Sequence, residues 1–229
     1  MPFSLEQIVP WGRSFAEYRG MFALTEEDLK SRILSCADGP ASFNAQATGL
    51  GADVVSIDPL YEFSGEEIQQ RIDVTYPQIM AQVRENQSAF VWKEFESAEA
   101  LGRSRMASME RFLNDFDMGR ECGRYLPAEL PSLPFENGSF DLALCSHFLF
   151  LYSDQLSIEF HVDSILDMCR VAGEVRIFPL LALDGSPSLH VTPVISALRS
   201  EGLRVESLEV AYEFQRGGNR MLRVQSPTK

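Results

Sequence analysis

The stretch from residue 33 to residue 58 constrains this chain more than any other. Ile33-Leu34-Ser35-Cys36-Ala37 is a short apolar run closed by Asp38-Gly39-Pro40, the pattern of a strand entering a tight turn. Ala41 to Thr48 reads as a helix, with Gly49 and Gly51 to end it. Asp53-Val54-Val55-Ser56-Ile57-Asp58 follows as a second strand, rich in β-branched residues. Strand, turn, helix and strand in so short a span make a βαβ unit, and such units build parallel sheets.

The alternation continues. Residues 14 to 30 read as helical, with Phe15, Tyr18, Phe22 and Leu29 on one face. Ser64-Gly65-Glu66-Glu67 is a capping box, and Ile68, Ile72, Tyr76, Ile79, Met80 and Val83 follow it at helical spacing. Pro77 is expected to kink or break that helix. A second helix is expected from Ala98 to Met118, stopped by Gly119. Arg124 to Pro127 reads as a short strand. Phe140 to Leu144 is a buried strand, Leu156 to Val171 a helix, Glu174 to Phe178 a strand and Pro193 to Glu201 a helix. Val205 to Phe214, Gly217-Gly218 and Met221 to Val224 read as an antiparallel hairpin. The expected fold is α/β: one domain over 1–229, a doubly wound and mostly parallel sheet with a terminal antiparallel hairpin. A helical insertion occupies 62–122.

Composition narrows the function classes. The 229 residues are 45% hydrophobic and 23% charged, so the chain is ordinary globular protein. With 20 Lys and Arg against 33 Asp and Glu, the net charge is −13 and the pI near 4.7. That balance argues against a general nucleic-acid binder and against docking on anionic membranes. The four cysteines form no C-x-x-C pair, which excludes a disulfide framework or a zinc pattern and reads as reduced thiols in a cytoplasmic protein. The start, MPFSLEQIVPWGRSF, lacks the charged and apolar regions of a secretory signal, and no apolar run approaches the ~20 residues of a membrane span.

Four segments carry chemistry, and together they resemble a known family. Ile33 to Phe43, ILSCADGPASF, resembles the first motif of class I S-adenosylmethionine-dependent methyltransferases, a strand ending in D/E-x-G-x-G-x-G. Ser35 then stands at the acidic position, and Ala37, Gly39 and Ala41 at the three glycines, of which one survives. Asp58 ends the second strand, where an acidic residue accepts hydrogen bonds from ribose hydroxyls; the other reading is a strand-end cap. Glu129-Leu130-Pro131-Ser132-Leu133-Pro134-Phe135 is similar to the family's D-A-x-x-L-P-F loop, which puts Glu129 where an acid contacts the adenine amino group; the other reading is a solvated loop acid. Gly138 to His147, GSFDLALCSH, resembles the family's fourth strand.

The resemblance covers most of residues 31 to 225 and implies S-adenosylmethionine as cofactor. It implies contacts from Cys36, Ala37, Asp38 and Gly39, from Asp58 and Pro59, from Glu129 and Leu130, and from Ser146 and His147. In the N-terminal segment, Arg13 is placed to pair with the methionine carboxylate and Tyr18 to cover the site, against a plain packing role. The insertion at 62–122 is expected to be a lid or substrate pocket, with a structural or dimerising role as the alternative. A homodimer is compatible with the sequence.

His147 directly follows the fourth strand, at the edge where ligands bind parallel sheets. An imidazole that titrates near pH ~6.5 suits a general base; packing against the cofactor is the competing role and the favoured one. His161 and His190 have no partner pattern, so no metal is expected. The leading function is direct methyl transfer to a small-molecule or protein acceptor. A sulfonium methyl is already activated, so alignment suffices and no triad is needed. The alternatives are a catalytically silent S-adenosylmethionine-binding protein and a nicotinamide-dependent oxidoreductase. The absent G-x-G-x-x-G counts against the last. The acceptor itself is not written in the sequence.

Overall fold

The computed structural model describes residues 10–226. Residues 1–9, on which the reading of the chain's start partly rests, and 227–229 lie outside the described residues. Seven strands form one sheet: β1 (Arg32–Cys36), β2 (Asp53–Ile57), β3 (Tyr125–Leu126), β4 (Phe140–Ser146), β5 (Ala172–Phe178), β6 (Arg204–Glu209) and β7 (Arg220–Gln225). Their order is β3-β2-β1-β4-β5-β7-β6. β1 to β5 run parallel, and β7 lies antiparallel between β5 and β6. The doubly wound, mostly parallel sheet with its antiparallel hairpin is therefore as the sequence predicts.

Alternation along β1 explains the layers. Ile33 joins Val54, Leu142 and Leu144 in a core completed by Phe15 and Tyr18 of α1 (Phe15–Met21) and by Phe43 and Ala47 of α2 (Phe43–Gly49). Leu34 and Cys36 point the other way, into a core with α5 (Ile158–Val171) and α6 (Val191–Ser200). A parallel sheet covered on both faces results. The chain leaves β1 toward β2 and β3, then crosses back to place β4 on the opposite side of β1. Such a reversal opens a crevice at the carboxyl ends of β1 and β4.

Four local expectations change. The first helix covers only Phe15–Met21 instead of 14–30. Ala23 adopts a left-handed φ of 49°, and Thr25 and Asp28 then bond each other's backbone amides at 2.8 and 3.1 Å, which competes with helix. Pro77 does not break α3 (Gly65–Glu85). Burial of Ile72, Ile79, Met80 and Val83 holds that helix across the missing donor. Gly119 does not stop α4 (Ala98–Glu121). A Cβ there would lie 2.4 Å from the Tyr125 ring, so this glycine lets α4 reach β3, and the helix ends before Gly123, whose φ is +73°. Finally, β6 stops at Glu209, not Phe214. Residues 210–219 leave the sheet and clasp the segment after α3. Val91 N–H donates to the Phe214 carbonyl at 2.7 Å and Arg216 N–H to that of Ala89 at 2.9 Å.

Candidate functional site

The crevice is marked by backbone strain. Among the described residues three non-glycines have positive φ, and two of them sit at this edge: Ala37 at 53°, just after β1, and His147 at 51°, just after β4. Gly39 shares the conformation at 53°. A left-handed non-glycine costs roughly 1–2 kcal/mol and persists only where its surroundings hold it. His147 N–H donates to the Phe178 carbonyl at 2.6 Å, and Asp38 N–H to that of Ile57 at 3.3 Å.

Asp38 is the anchor of the first loop. Its buried carboxylate accepts from Ser35 Oγ and Ser56 Oγ, both at 2.6 Å, and from the Tyr18 hydroxyl. Burial raises its pKa, while the three hydroxyls hold it down. Tyr18 itself stacks on Phe43 with centroids 4.5 Å apart. Ser35, near the end of β1 and three residues before Asp38, is thus one of the donors that hold this buried acid. The carboxylate reaches back to the hydroxyls of β1 and β2.

Asp58 ties the loop to β2. One oxygen accepts from Gly39 N–H at 2.9 Å; the other accepts from Leu60 N–H at 2.8 Å, capping the short helix Pro59–Glu62. The Tyr61 hydroxyl closes the loop by donating to the Gly39 carbonyl at 2.8 Å. Burial pushes the Asp58 carboxyl up to about 6, against the two amides that favour its charge and with Asp38 and Glu129 acting in the same upward direction.

A cavity of about 710 Å³ opens above these groups. Arg13, Tyr18, Ala37, Asp38, Gly39, Asp58, Pro59, Glu129, Leu130, Ser146 and His147 all line it. The structure therefore brings together the candidates from five separate segments. Cys36 is the exception. It alternates with Ala37 onto the α5 face, where it is fully buried in the core and its thiol is pushed well above the usual range by burial.

Arg13 donates from Nη1 to the Trp11 carbonyl at 3.0 Å, and its buried Nε has no partner. Burial, with Arg105 nearby, lowers its pKa to about 10, so it stays cationic at neutral pH. Its own carbonyl accepts from Ser42 N–H at 3.0 Å and Ser108 Oγ at 2.8 Å, which fixes the segment between α2 and α4. His147 Nδ1 shares a 2.9 Å hydrogen bond with Ser146 Oγ. Burial and the charges of Arg13 and Arg105 push the His147 pKa well below its ordinary value, so the ring is neutral at physiological pH. Glu129 is exposed at the rim, its carbonyl accepting from Ser132 N–H at 3.3 Å.

Two groups escaped sequence reasoning. Glu17 of α1 accepts from buried Arg105 of α4 and from the Tyr212 hydroxyl at 2.8 Å, joining three distant segments through one carboxylate. Arg105 holds Glu17 down to about 2. The Ser14-x-x-Glu17 capping box was readable as a helix start, but nothing local marks its partners. The second group is the apolar wall formed by Ile79, Val83, Phe90, Phe148, Leu151, Leu156, Phe160, Leu183 and Phe214. Away from the cavity wall, the His161 and His190 rings lie 5.0 Å apart. No group of three or more His, Cys, Asp or Glu among the described residues is placed to hold a metal ion, and no helix there is long and apolar enough to cross a membrane.

No protein-family model matches the chain. The uncharacterized protein MJ0045 of Methanocaldococcus jannaschii is 31% identical over 223 residues, covering 96% of each chain. Among solved structures, the chain is similar to the magnesium protoporphyrin IX methyltransferase ChlM of Synechocystis PCC 6803 with bound SAM, at 12% identity over 88% of this chain and 73% of that one, TM-score 0.46. It is also similar to a putative S-adenosylmethionine-dependent methyltransferase of Methanococcus maripaludis, at 11% identity over 94% and 84% of the two chains, TM-score 0.46. A SAM-dependent methyltransferase of Aquifex aeolicus gives 16% identity over 91% and 90%, TM-score 0.43.

Proposed function

The chain belongs to the family of MJ0045, and we propose that it is an S-adenosylmethionine-dependent methyltransferase. The observation that carries this reading is the cavity at the β1/β4 reversal, which gathers the Gly39 loop, Asp58 and Glu129 on one wall. The residues fit the cofactor. A Cβ built on Gly39 would meet only Asp58 Oδ2, at 4.0 Å, so the backbone there faces open space into which a ligand can come close. The buried, partnerless Nε of cationic Arg13 is suited to a carboxylate.

When bound, the cofactor supplies a methyl group already activated on a sulfonium. The chain's residues then have to hold and align. Asp58 accepts from ribose hydroxyls while keeping its two backbone amides. Glu129 accepts from the adenine amino group, and Arg13 pairs with the methionine carboxylate. Leu130, Pro59 and Ala37 pack around the nucleoside. Asp38 and Tyr18 act from beneath, keeping the loop in its left-handed form. His147 is neutral and positions ligands by contact. The stretch 62–122, carrying α3 and α4, covers the acceptor side. The acceptor is a small molecule or a protein.

A thermal-shift comparison tests the cofactor. A ligand at 100 times its Kd stabilises by about 2.7 kcal/mol. For a chain of this size that moves Tm by roughly 5–10 °C. S-adenosylhomocysteine should give such a shift and NAD none. The reverse result would establish the nicotinamide reading instead.

A further inference from the structure

One wall of the cavity takes no part in the contacts assigned above. It is mostly apolar, with Arg71 of α3 and Gln215 beside it, and is assembled from four stretches distant in sequence: Ile79 and Val83 of α3, Phe90 after it, Phe214 of the hairpin connection, and Leu156 and Leu183 beyond β4 and β5. Carbon surface of this kind recognises a ligand by the area it buries, and aromatic faces favour flat rings.

Two of these stretches are joined by the clasp between residues 89–91 and 214–216. Phe90 stacks on Phe214 with centroids 4.7 Å apart at 13°, and the two backbone hydrogen bonds flank the stack. The cavity's 710 Å³, which the cofactor and the acceptor share, lies within the roughly 300–1,000 Å³ of small-molecule sites. The chain's net charge of −13 disfavours a phosphate polymer as acceptor.

Building on the S-adenosylmethionine reading, we infer that the methyl acceptor is a small, apolar, ring-bearing molecule seated against this wall. Its oxygen, nitrogen or sulfur lone pair forms the new bond to the methyl carbon as the bond to the sulfonium sulfur breaks. Sulfur keeps that electron pair and becomes a neutral thioether, and the acceptor's proton passes to water.

The test uses the full chain saturated with S-adenosylhomocysteine and titrated with 2-naphthol, alongside a lysine-rich peptide and a transfer RNA as macromolecular arms. Leu156→Glu and Leu183→Glu alter partly exposed side chains of the wall, so both variants should fold. The expected result is saturable 2-naphthol binding, weakened more than about threefold in at least one variant. S-adenosylhomocysteine affinity should hold in both. Absence of 2-naphthol binding to the loaded chain, binding indifferent to both substitutions, or saturable binding of only the peptide or the RNA overturns the inference and leaves the cofactor reading standing. Failure of S-adenosylhomocysteine itself to bind overturns the cofactor reading, and the inference with it.

Discussion

The two walls of the cavity are built by different physics. On the β1–β2 side, Asp38 and Asp58 together accept from three hydroxyls and two backbone amides, so the loop's shape is fixed by directional bonds. On the α3 and hairpin side, Ile79, Val83, Phe90 and Phe214 meet through carbon contacts, backed by one buried ion pair. A hydrogen-bonded wall presents one preformed shape. An apolar wall repacks around different ligands and can be altered residue by residue with less consequence for its neighbours.

The ion pair offers the strongest way to break this contrast, because it fastens the second wall to the first. Arg105→Ala leaves Glu17 buried with its charge uncompensated, and such losses cost about 3–5 kcal/mol. Urea denaturation should register that loss. The double variant Glu17→Leu with Arg105→Met should recover much of it. If the single variant loses under ~1 kcal/mol, the two walls are held together by packing alone.

Asp58 probes the hydrogen-bonded wall. A charge-assisted hydrogen bond contributes on the order of 1.5–3 kcal/mol, so Asp58→Ala should weaken S-adenosylmethionine binding by roughly 10- to 150-fold in calorimetry. A change below about threefold leaves Asp58 only its backbone partners, the Gly39 and Leu60 amides. The pH dependence has two opposite signs. Because the folded carboxyl titrates near 6, above its unfolded value of about 3.8, Asp58 favours folding below that lower value and loses the benefit as pH rises through about 6. Cofactor affinity, which needs the charged carboxylate, should instead rise through the same window, and Asp58→Asn should flatten that rise.

The first wall was legible in the sequence because its parts are local. An apolar run ending in Asp38-Gly39-Pro40, a β-branched strand ending in Asp58 and a strand ending in Ser146-His147 each announce a strand end, and parallel strand ends converge by construction. Even there, alternation turned Cys36 inward, and the tight turn hid Asp38's role as anchor of the loop. The second wall was illegible because Phe90 and Phe214 are partners only through a connection that leaves the sheet. A run such as Val205 to Phe214 looks like one strand until tertiary pairing ends it at Glu209.

His147 lines the cavity just after β4, and its expected effect is small. His147→Gln should change cofactor affinity by less than about threefold, or ~0.7 kcal/mol. Because burial and Arg13 keep the ring neutral, turnover should show no inflection near the free imidazole pKa. A rise in activity through pH ~6.5, abolished by the substitution, would restore the base role. Hydrogen exchange gives a subtler contrast. Adding S-adenosylhomocysteine should slow amides in 62–122 more than those of β4 and β5; unchanged protection across that stretch would make it a rigid element instead of a cover.

The most direct measurement is isothermal titration of S-adenosylmethionine into the wild-type chain and into Gly39→Val, with the melting curve of each recorded. One site per wild-type chain is expected, with at least a tenfold loss, about 1.4 kcal/mol, in a variant that still melts cooperatively. An absence of binding to wild type, or equal affinity in the folded variant, would contradict it.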